Sequence, residues 1–297
     1  MTNATVISAQ APAVVFERSP GYWQTVGRRL LRDKVAMGAA LVILALLVLA
    51  LFGGLLAPKD PYAASMLSRL KPIGFEGFPL GTDELGRDLL SRLMVGARLS
   101  LFMGITPVLC AFVIGSTIGI VAGYTGGMTN TLMMRTIDVF YAFPSVLLAI
   151  ALSGALGAGI TNSLISLTIV FIPPIARVAE SVTTQIRARD FVEAARASGA
   201  NAFTIVRVHV LGNVLSPIFV YATSLIAVSM ILASGLSFLG LGVKPPEPEW
   251  GLMLNTLRTA IYVQPWIAAL PGVMIFLTSV AFNLLSDGLR SAMEIKQ

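Results

Sequence analysis

Asp190–Gly212 read DFVEAARASGANAFTIVRVHVLG, a polar, charge-bearing island between two long uncharged hydrophobic runs. Asp190 followed three residues on by Glu193 has the spacing of a capping box, and the Ala-rich segment behind it favours helix. Gly199 is placed to end that helix in a left-handed turn, and Asn201 to cap a second short one. A bend made at glycine carries no Cβ, so another surface can approach it closely. Phe191, Ala194, Ala195 and Ser198 fall at i, i+3, i+4 and i+7 and form one candidate contact face. Arg187, Arg189 and Arg196 supply polar contacts around its rim.

The runs on either side decide where this island sits. The chain's 297 residues are 56% hydrophobic and 12% charged, with a mean hydropathy of +0.82. Soluble domains average roughly 45–50% apolar and 25% charged, so this is a membrane protein. Uncharged stretches occur at Val35–Ala57, Leu99–Met134, Val139–Ala176, Val210–Val243 and Thr259–Ser286, each meeting the ~20 residues that a bilayer-crossing helix needs. Val139–Ala176 is too long for one helix and is interrupted by Gly154, Gly157, Gly159, Thr161 and Asn162. Splitting it there gives about six spans. Gly123–Asn130 is expected to end the second span, with residues 131–134 leading into the third. The expected fold is all-α and polytopic, with no strand pattern.

Arg28, Arg29, Arg32 and Lys34 precede the first span, which by the positive-inside rule places the N-terminus in the cytoplasm. With six spans both termini face inward, and Lys and Arg then divide 13 inside to 8 outside. Three regions follow: residues 1–34 as a cytoplasmic tail with an interfacial helix at its end, 35–290 as the transmembrane domain with its inward loop at about 181–213, and 291–297 as a short tail. Residues 1–19 show no periodicity and are expected to be disordered. The first apolar run exceeds the 7–15 residues of a secretory signal.

Several chemistries are excluded by what is missing. None of the five lysines follows a glycine, so the Gly-Lys pair of a phosphate-cradling loop is absent and any nucleotide acts on another subunit. His209 stands without a second His or Cys for a metal and without a neighbouring nucleophile. Cys110, the single cysteine, reads as small apolar filler. Catalytic and metal-ligating residues are expected to be none. The scattered basic residues set membrane orientation rather than a nucleic-acid surface. Asp138 is the one acid close to a span, and Arg135 three residues earlier is its expected interfacial partner.

Glu193, Ala194, Ala195 and Gly199, continued by Arg207, His209, Val210, Leu211 and Asn213, resemble the cytoplasmic loop of the inner-membrane permease subunits of ATP-binding-cassette importers. Specifically, they resemble the dipeptide/oligopeptide/nickel family; Gly212 stands where that family usually has proline. The second signature of the family is present as Gly81, Thr82, Asp83, Gly86, Arg87, Asp88, Ser91, Arg92, Gly96, Arg98, Ser100 and Leu101. A third is present as Pro245, Pro246, Pro248, Glu249, Trp250 and Gly251, and a C-terminal one as Phe282, Asn283, Asp287, Leu289 and Arg290.

The resemblance implies a type I importer permease fold in the bacterial cytoplasmic membrane. It implies a second, related permease, two ATPase subunits that carry the ATP and Mg, and an extracytoplasmic substrate-binding protein, with no cofactor in this chain. Phe191, Glu193, Ala194, Ala195, Arg196, Ser198, Gly199 and Asn201 would couple to the ATPase. Peptides are the leading cargo by resemblance; nickel chelates, glutathione or other small solutes are the alternatives. An ion-driven secondary transporter is the rival class, and it calls for embedded carboxylates and broken helices that this chain shows little of. Trp250 is expected at the membrane surface, Arg98 as a snorkelling residue, and Gly115, Gly119, Gly123, Gly154 and Gly157 as helix-packing or hinge positions.

Overall fold

The computed structural model describes residues 21–293; the 1–19 segment expected to be disordered and the end of the 291–297 tail lie outside the described residues. Those described form eleven α-helices: α1 Tyr22–Arg32, α2 Lys34–Leu56, α3 Leu89–Thr125, α4 Gly127–Tyr141, α5 Ser145–Leu156, α6 Ile160–Arg187, α7 Asp190–Ala197, α8 Ala202–Ile205, α9 Leu211–Phe238, α10 Trp250–Thr256 and α11 Pro265–Met293. Among the described residues, β structure is limited to two isolated bridges, Phe75–Phe78 and Thr82–Asp88. Helices α2, α3, α6 and α11 and the run Ala202–Phe238 are long and apolar enough to cross a membrane, and the α4–α5 pair makes a sixth span bent by 86°.

That bent span departs from the sequence expectation. The second span ends where expected, since Gly126 and Gly127 both adopt positive φ, +67° and +57°, and α3 stops at Thr125. The third span begins at Gly127, ahead of the expected 131–134 lead-in, and is not one helix: it breaks at residues 142–144, just ahead of α5. Asp138 lies in the last turn of α4, not at the start of a span, and its partner is Arg177 on α6 rather than Arg135. Cys110 is exposed on α3, so it is not core filler.

Loops 57–88, 157–159 and 239–264 gather at one end of the bundle. The Gly159 N–H donates to the Leu241 carbonyl at 2.9 Å, and the Tyr62 hydroxyl donates to Glu247 at 3.0 Å. The 188–210 elbow occupies the opposite end, where the Arg187 guanidinium reaches Gly126 and Gly288 packs on Ala36. At that end α1 lies against α11 through buried Val26 and half-buried Leu30, with Arg28, Arg29, Leu31 and Arg32 outward.

Lipid is as apolar as a leucine side chain, so close packing rather than escape from water must hold these helices together. The α3–α6 seam shows how. Gly115, Gly119 and Gly123 recur every four residues, and a Cβ on them would meet the carbonyl oxygens of Ile172 at 2.9 Å, of Ala176, and of Glu180 at 2.7 Å. The expected packing role holds at these three positions. Gly154 faces open space, and Gly157, with φ +91°, ends α5. Helix α2 packs on α3 and α11 at the edge of the bundle, whereas α5 packs on α6 and α9.

Candidate functional site

The elbow is short helices anchored by a few fully buried side chains. Val192, Ile205 and Val210 are at most 1% exposed and fix it to the ends of α6 and α9. The expected capping box does not close: Asp190 is the first residue of α7, and Arg189, in extended conformation, takes the N-cap position without a side-chain hydrogen bond. Asp190 and Glu193 instead lie in the first turn, where negative charge is favoured by the helix dipole. Gly199 adopts φ +84°; its N–H donates to the Arg196 carbonyl at 3.0 Å, and the Ala200 N–H to Ala195 at 3.1 Å. Asn201 caps α8 as expected, accepting the Thr204 amide at 2.8 Å.

The outward face of α7 is narrower than the spacing suggests. Phe191, Glu193, Ala194, Arg196 and Ser198 are exposed, but Ala195 is half-buried and packs toward the core with Val192. Phe191, 44% exposed, projects beside His209, the ring centroids 6.4 Å apart. Ser198 ties its hydroxyl to the Ala194 carbonyl at 2.8 Å. Open space surrounds Gly199, so its requirement is conformational, a left-handed φ that an L side chain rarely adopts. Gly212 lies inside α9, which a π turn at Val206–Val210 joins without a break to α8. The elbow is thus one rigid connection between two spans, presenting a small knob of mixed polarity.

The loop-end motifs converge into a second cluster, and it is buried. Asp83 accepts the amides of Leu85 and Arg87 at 2.9 Å each, pairs with Arg87 Nε at 2.6 Å and lies 3.2 Å from Arg92 Nε. Arg87 reaches Glu84 at 2.8 Å. Asp88 caps α3 through the Ser91 amide at 2.9 Å. Thr82 Oγ1 accepts the Lys71 amide at 2.8 Å and donates to the Ser68 carbonyl. Gly81 and Gly86, at φ +77° and +73°, sit against the backbone of Lys71 and Ser65, where a Cβ has no room.

Glu249 caps α10, accepting the Gly251 and Leu252 amides at 2.8 Å each. Burial pushes its carboxyl up from the ordinary range, and those amides oppose the shift. Burial and the neighbouring Asp83 likewise push Glu84 up. Trp250 is completely buried; its backbone amide donates to Ser100 Oγ and its indole to the Leu93 carbonyl, both at 3.0 Å. It is therefore an internal anchor between α10 and α3, not a residue at the membrane surface. The aromatic-belt reading failed because sequence does not show that Gly96 leaves a gap on α3 for Pro248 and Trp250 to fill.

Two features escaped the sequence reading. Arg177 pairs with Asp138 across α6 and α4, the two side chains 41% and 34% exposed. Above that pair, the 86° break opens a cavity of about 250 Å³ lined by Phe140, Tyr141, Phe143, Pro173, Pro174 and Leu225. The Pro-Pro pair inside an apolar run was the available signal for it. Among the described residues no group of three or more His, Cys, Asp or Glu is placed to hold a metal.

Comparison with known proteins supplies what geometry alone does not. Residues 115–295 match the family described as binding-protein-dependent transport system inner membrane component, and residues 21–72 match the N-terminal TM domain of oligopeptide transport permease C. The glutathione transport system permease protein GsiD of Pectobacterium atrosepticum is 42% identical over 274 residues, 92% of this chain and 91% of that protein. Its counterpart from Escherichia coli O6:K15:H31 is 43% identical over 274 residues, 92% and 90% of the two chains. In fold the chain is similar to the MetNI methionine ABC transporter in inward-facing conformations. That match has a TM-score of 0.56 and 20% identity, and covers 67% of this chain and 95% of that one. The chain therefore belongs to the multi-pass inner-membrane permeases of ATP-binding-cassette importers, in the peptide/oligopeptide/nickel family.

Proposed function

We propose that this permease forms one half of a translocation path for short peptides, glutathione among them, with a second permease as the other half. A substrate-binding protein delivers cargo to the loop end, and the elbow end faces the cytoplasm and rests on an ATPase subunit. The chain itself carries out no hydrolysis; ATP and Mg belong to the two ATPases.

The observation that carries this reading is the elbow: an exposed knob of Phe191, Ala194 and Ser198 on a helix whose other side is locked into the bundle by Val192. A force applied to the knob has no slack to absorb it. It passes into α6 and α9 at once, because the elbow is their connection. From α6 it reaches α3 through the glycine seam and α4 through Arg177–Asp138, so the broken span moves with the lever. The aromatic cavity at that break is the natural place for a wall of the path to open and close.

The relatives' printed names refer to glutathione, itself a tripeptide, which supports the peptide class of cargo. The test is ATP-dependent uptake by the reconstituted complex, offered labelled dipeptides, tripeptides, glutathione and a nickel chelate in turn. Accumulation of one or more of the peptides is expected. Uptake of the nickel chelate alone contradicts the cargo assignment, and ATP-independent uptake by the lone chain contradicts the mechanism.

A further inference from the structure

Arg98 and Glu247 share the wall of a cavity of about 510 Å³ at the loop end, with Tyr62, Val95, Leu99 and Phe102. Arg98 is exposed in the third turn of α3, and among the described residues no carboxylate lies within 4.0 Å of its guanidinium. It also borders a cavity whose opposite wall is Leu49–Leu55, the last two turns of α2. The cation therefore sits just inside the end of a membrane span, at the depth where a long basic side chain reaches lipid headgroups. Glu247 accepts the Tyr62 hydroxyl on one carboxylate oxygen at 3.0 Å, and its other oxygen has no hydrogen-bond partner among the described residues.

Beneath Arg98 the same face of α3 is apolar and uncovered. Phe102, Leu109 and Val113 are 47%, 53% and 64% exposed and follow Arg98 at spacings of four, seven and four residues. From Phe102 to Val113 the helix rises about 16 Å, close to the ~15 Å that is half of a bilayer's hydrocarbon core. One unpaired cation and one available carboxylate oxygen thus stand above one leaflet's depth of exposed apolar side chains.

We infer that this face binds a phospholipid whose headgroup carries both a phosphate and a primary ammonium, of the phosphatidylethanolamine class. Arg98 takes the phosphate, Glu247 the ammonium, and an acyl chain lies along Phe102, Leu109 and Val113. A water-borne zwitterion such as the cargo has no tail to match that stripe. The site is separate from the elbow and from the cavity at the α4–α5 break, and its test does not depend on the identity of the cargo.

Cys110 provides the probe: it is exposed, and about 18 Å along α3 from Arg98. The assembled complex, its partner subunits free of cysteine, is labelled there with a bimane fluorophore and placed in nanodiscs. These contain phosphatidylethanolamine or phosphatidylglycerol bearing a nitroxide near the end of one acyl chain. Wild-type protein is expected to be quenched by the ethanolamine lipid at a lower mole fraction than by the glycerol lipid. Arg98→Gln should weaken quenching by both, and Glu247→Gln by the ethanolamine lipid alone, each by about fivefold, the factor expected for loss of one exposed charge contact. ATPase activity of the same samples verifies that each variant assembles, and Arg98→Lys should retain most of the lipid preference. Absence of quenching by either lipid means that a protein neighbour covers the stripe and overturns the site. Quenching that neither variant alters means an unselective annulus and overturns it too, and an unchanged Glu247→Gln protein overturns the ammonium assignment.

Discussion

Arg177, one turn beyond the Pro173–Pro174 pair of α6, holds Asp138 in the last turn of α4, immediately before the 86° break in the third span. A pair this exposed adds little to stability, about 0.2–1 kcal/mol. Its consequence is mechanical, because it joins the lever helix to the helix that must bend. Asp138→Asn is expected to leave the melting temperature within about 3 °C of wild type and to lower ATP-driven uptake about fivefold. The exchanged pair Asp138→Arg with Arg177→Asp should recover most of it. Thermal unfolding and uptake assays on the three proteins check both halves of the prediction.

The α3–α6 seam predicts opposite fates for two glycines. A side chain at Gly119 collides with the Ala176 carbonyl and the Ala179 side chain, so Gly119→Val forces two helices apart. Overpacking of that kind costs about 1–3 kcal/mol or more. Gly154→Ala meets open space and should behave as wild type. Membrane abundance and unfolding temperature of the two variants, measured side by side, report the difference; equal loss in both would remove the seam's special role.

Glu249 gives the loop end a pH dependence with a definite sign. Burial holds its folded-state pKa above the ordinary value of 4.5, so the folded protein holds this proton more tightly than the unfolded chain does. The associated stability is complete below pH 4.5 and is lost as pH rises through the folded-state pKa. Glu249→Gln removes that dependence and adds a constant cost of about 1 kcal/mol for the weakened cap. Unfolding midpoints taken from pH 4 to 8 should therefore show the variant gaining on wild type as pH rises.

Trp250 separates burial from surface anchoring. Trp250→Ala empties a completely buried site and should cost about 3–5 kcal/mol. Trp250→Phe keeps most of the volume and leaves the Leu93 carbonyl without its indole donor, a loss of about 1–3 kcal/mol. A residue merely anchored at the membrane surface would show little difference between the two. Protease resistance of the 239–264 connection and unfolding temperature are the readouts.

Much of this was legible in the chain. The membrane class, six spans, the positive-φ turn at Gly199 and the cap at Asn201 follow from hydropathy and local backbone rules that need no tertiary information. What escaped was set by partners distant in sequence. Arg92, in the first turn of α3, is buried because Asp83 and the carbonyls of Pro61 and Pro246 receive its guanidinium. Asp138 pairs with a residue 39 positions away, which no i,i+3 rule anticipates. Ala195 satisfies the spacing of the exposed face and still turns inward, since one short helix must be both anchored and displayed. Trp250 has the composition of a surface aromatic, and the gap that Gly96 leaves on α3 draws it inside.

The central claim, that an ATPase bears on the exposed side of α7, is tested most directly by site-specific cross-linking. With Cys110 replaced by serine and Ser198→Cys introduced, the assembled complex is treated with a short thiol-to-amine cross-linker in the presence and absence of ATP. The account predicts an adduct with an ATPase subunit from Ser198→Cys and none from Val192→Cys, which is buried. Ser198→Cys that reacts only with a reagent applied from outside the cell, and never joins an ATPase, would contradict it.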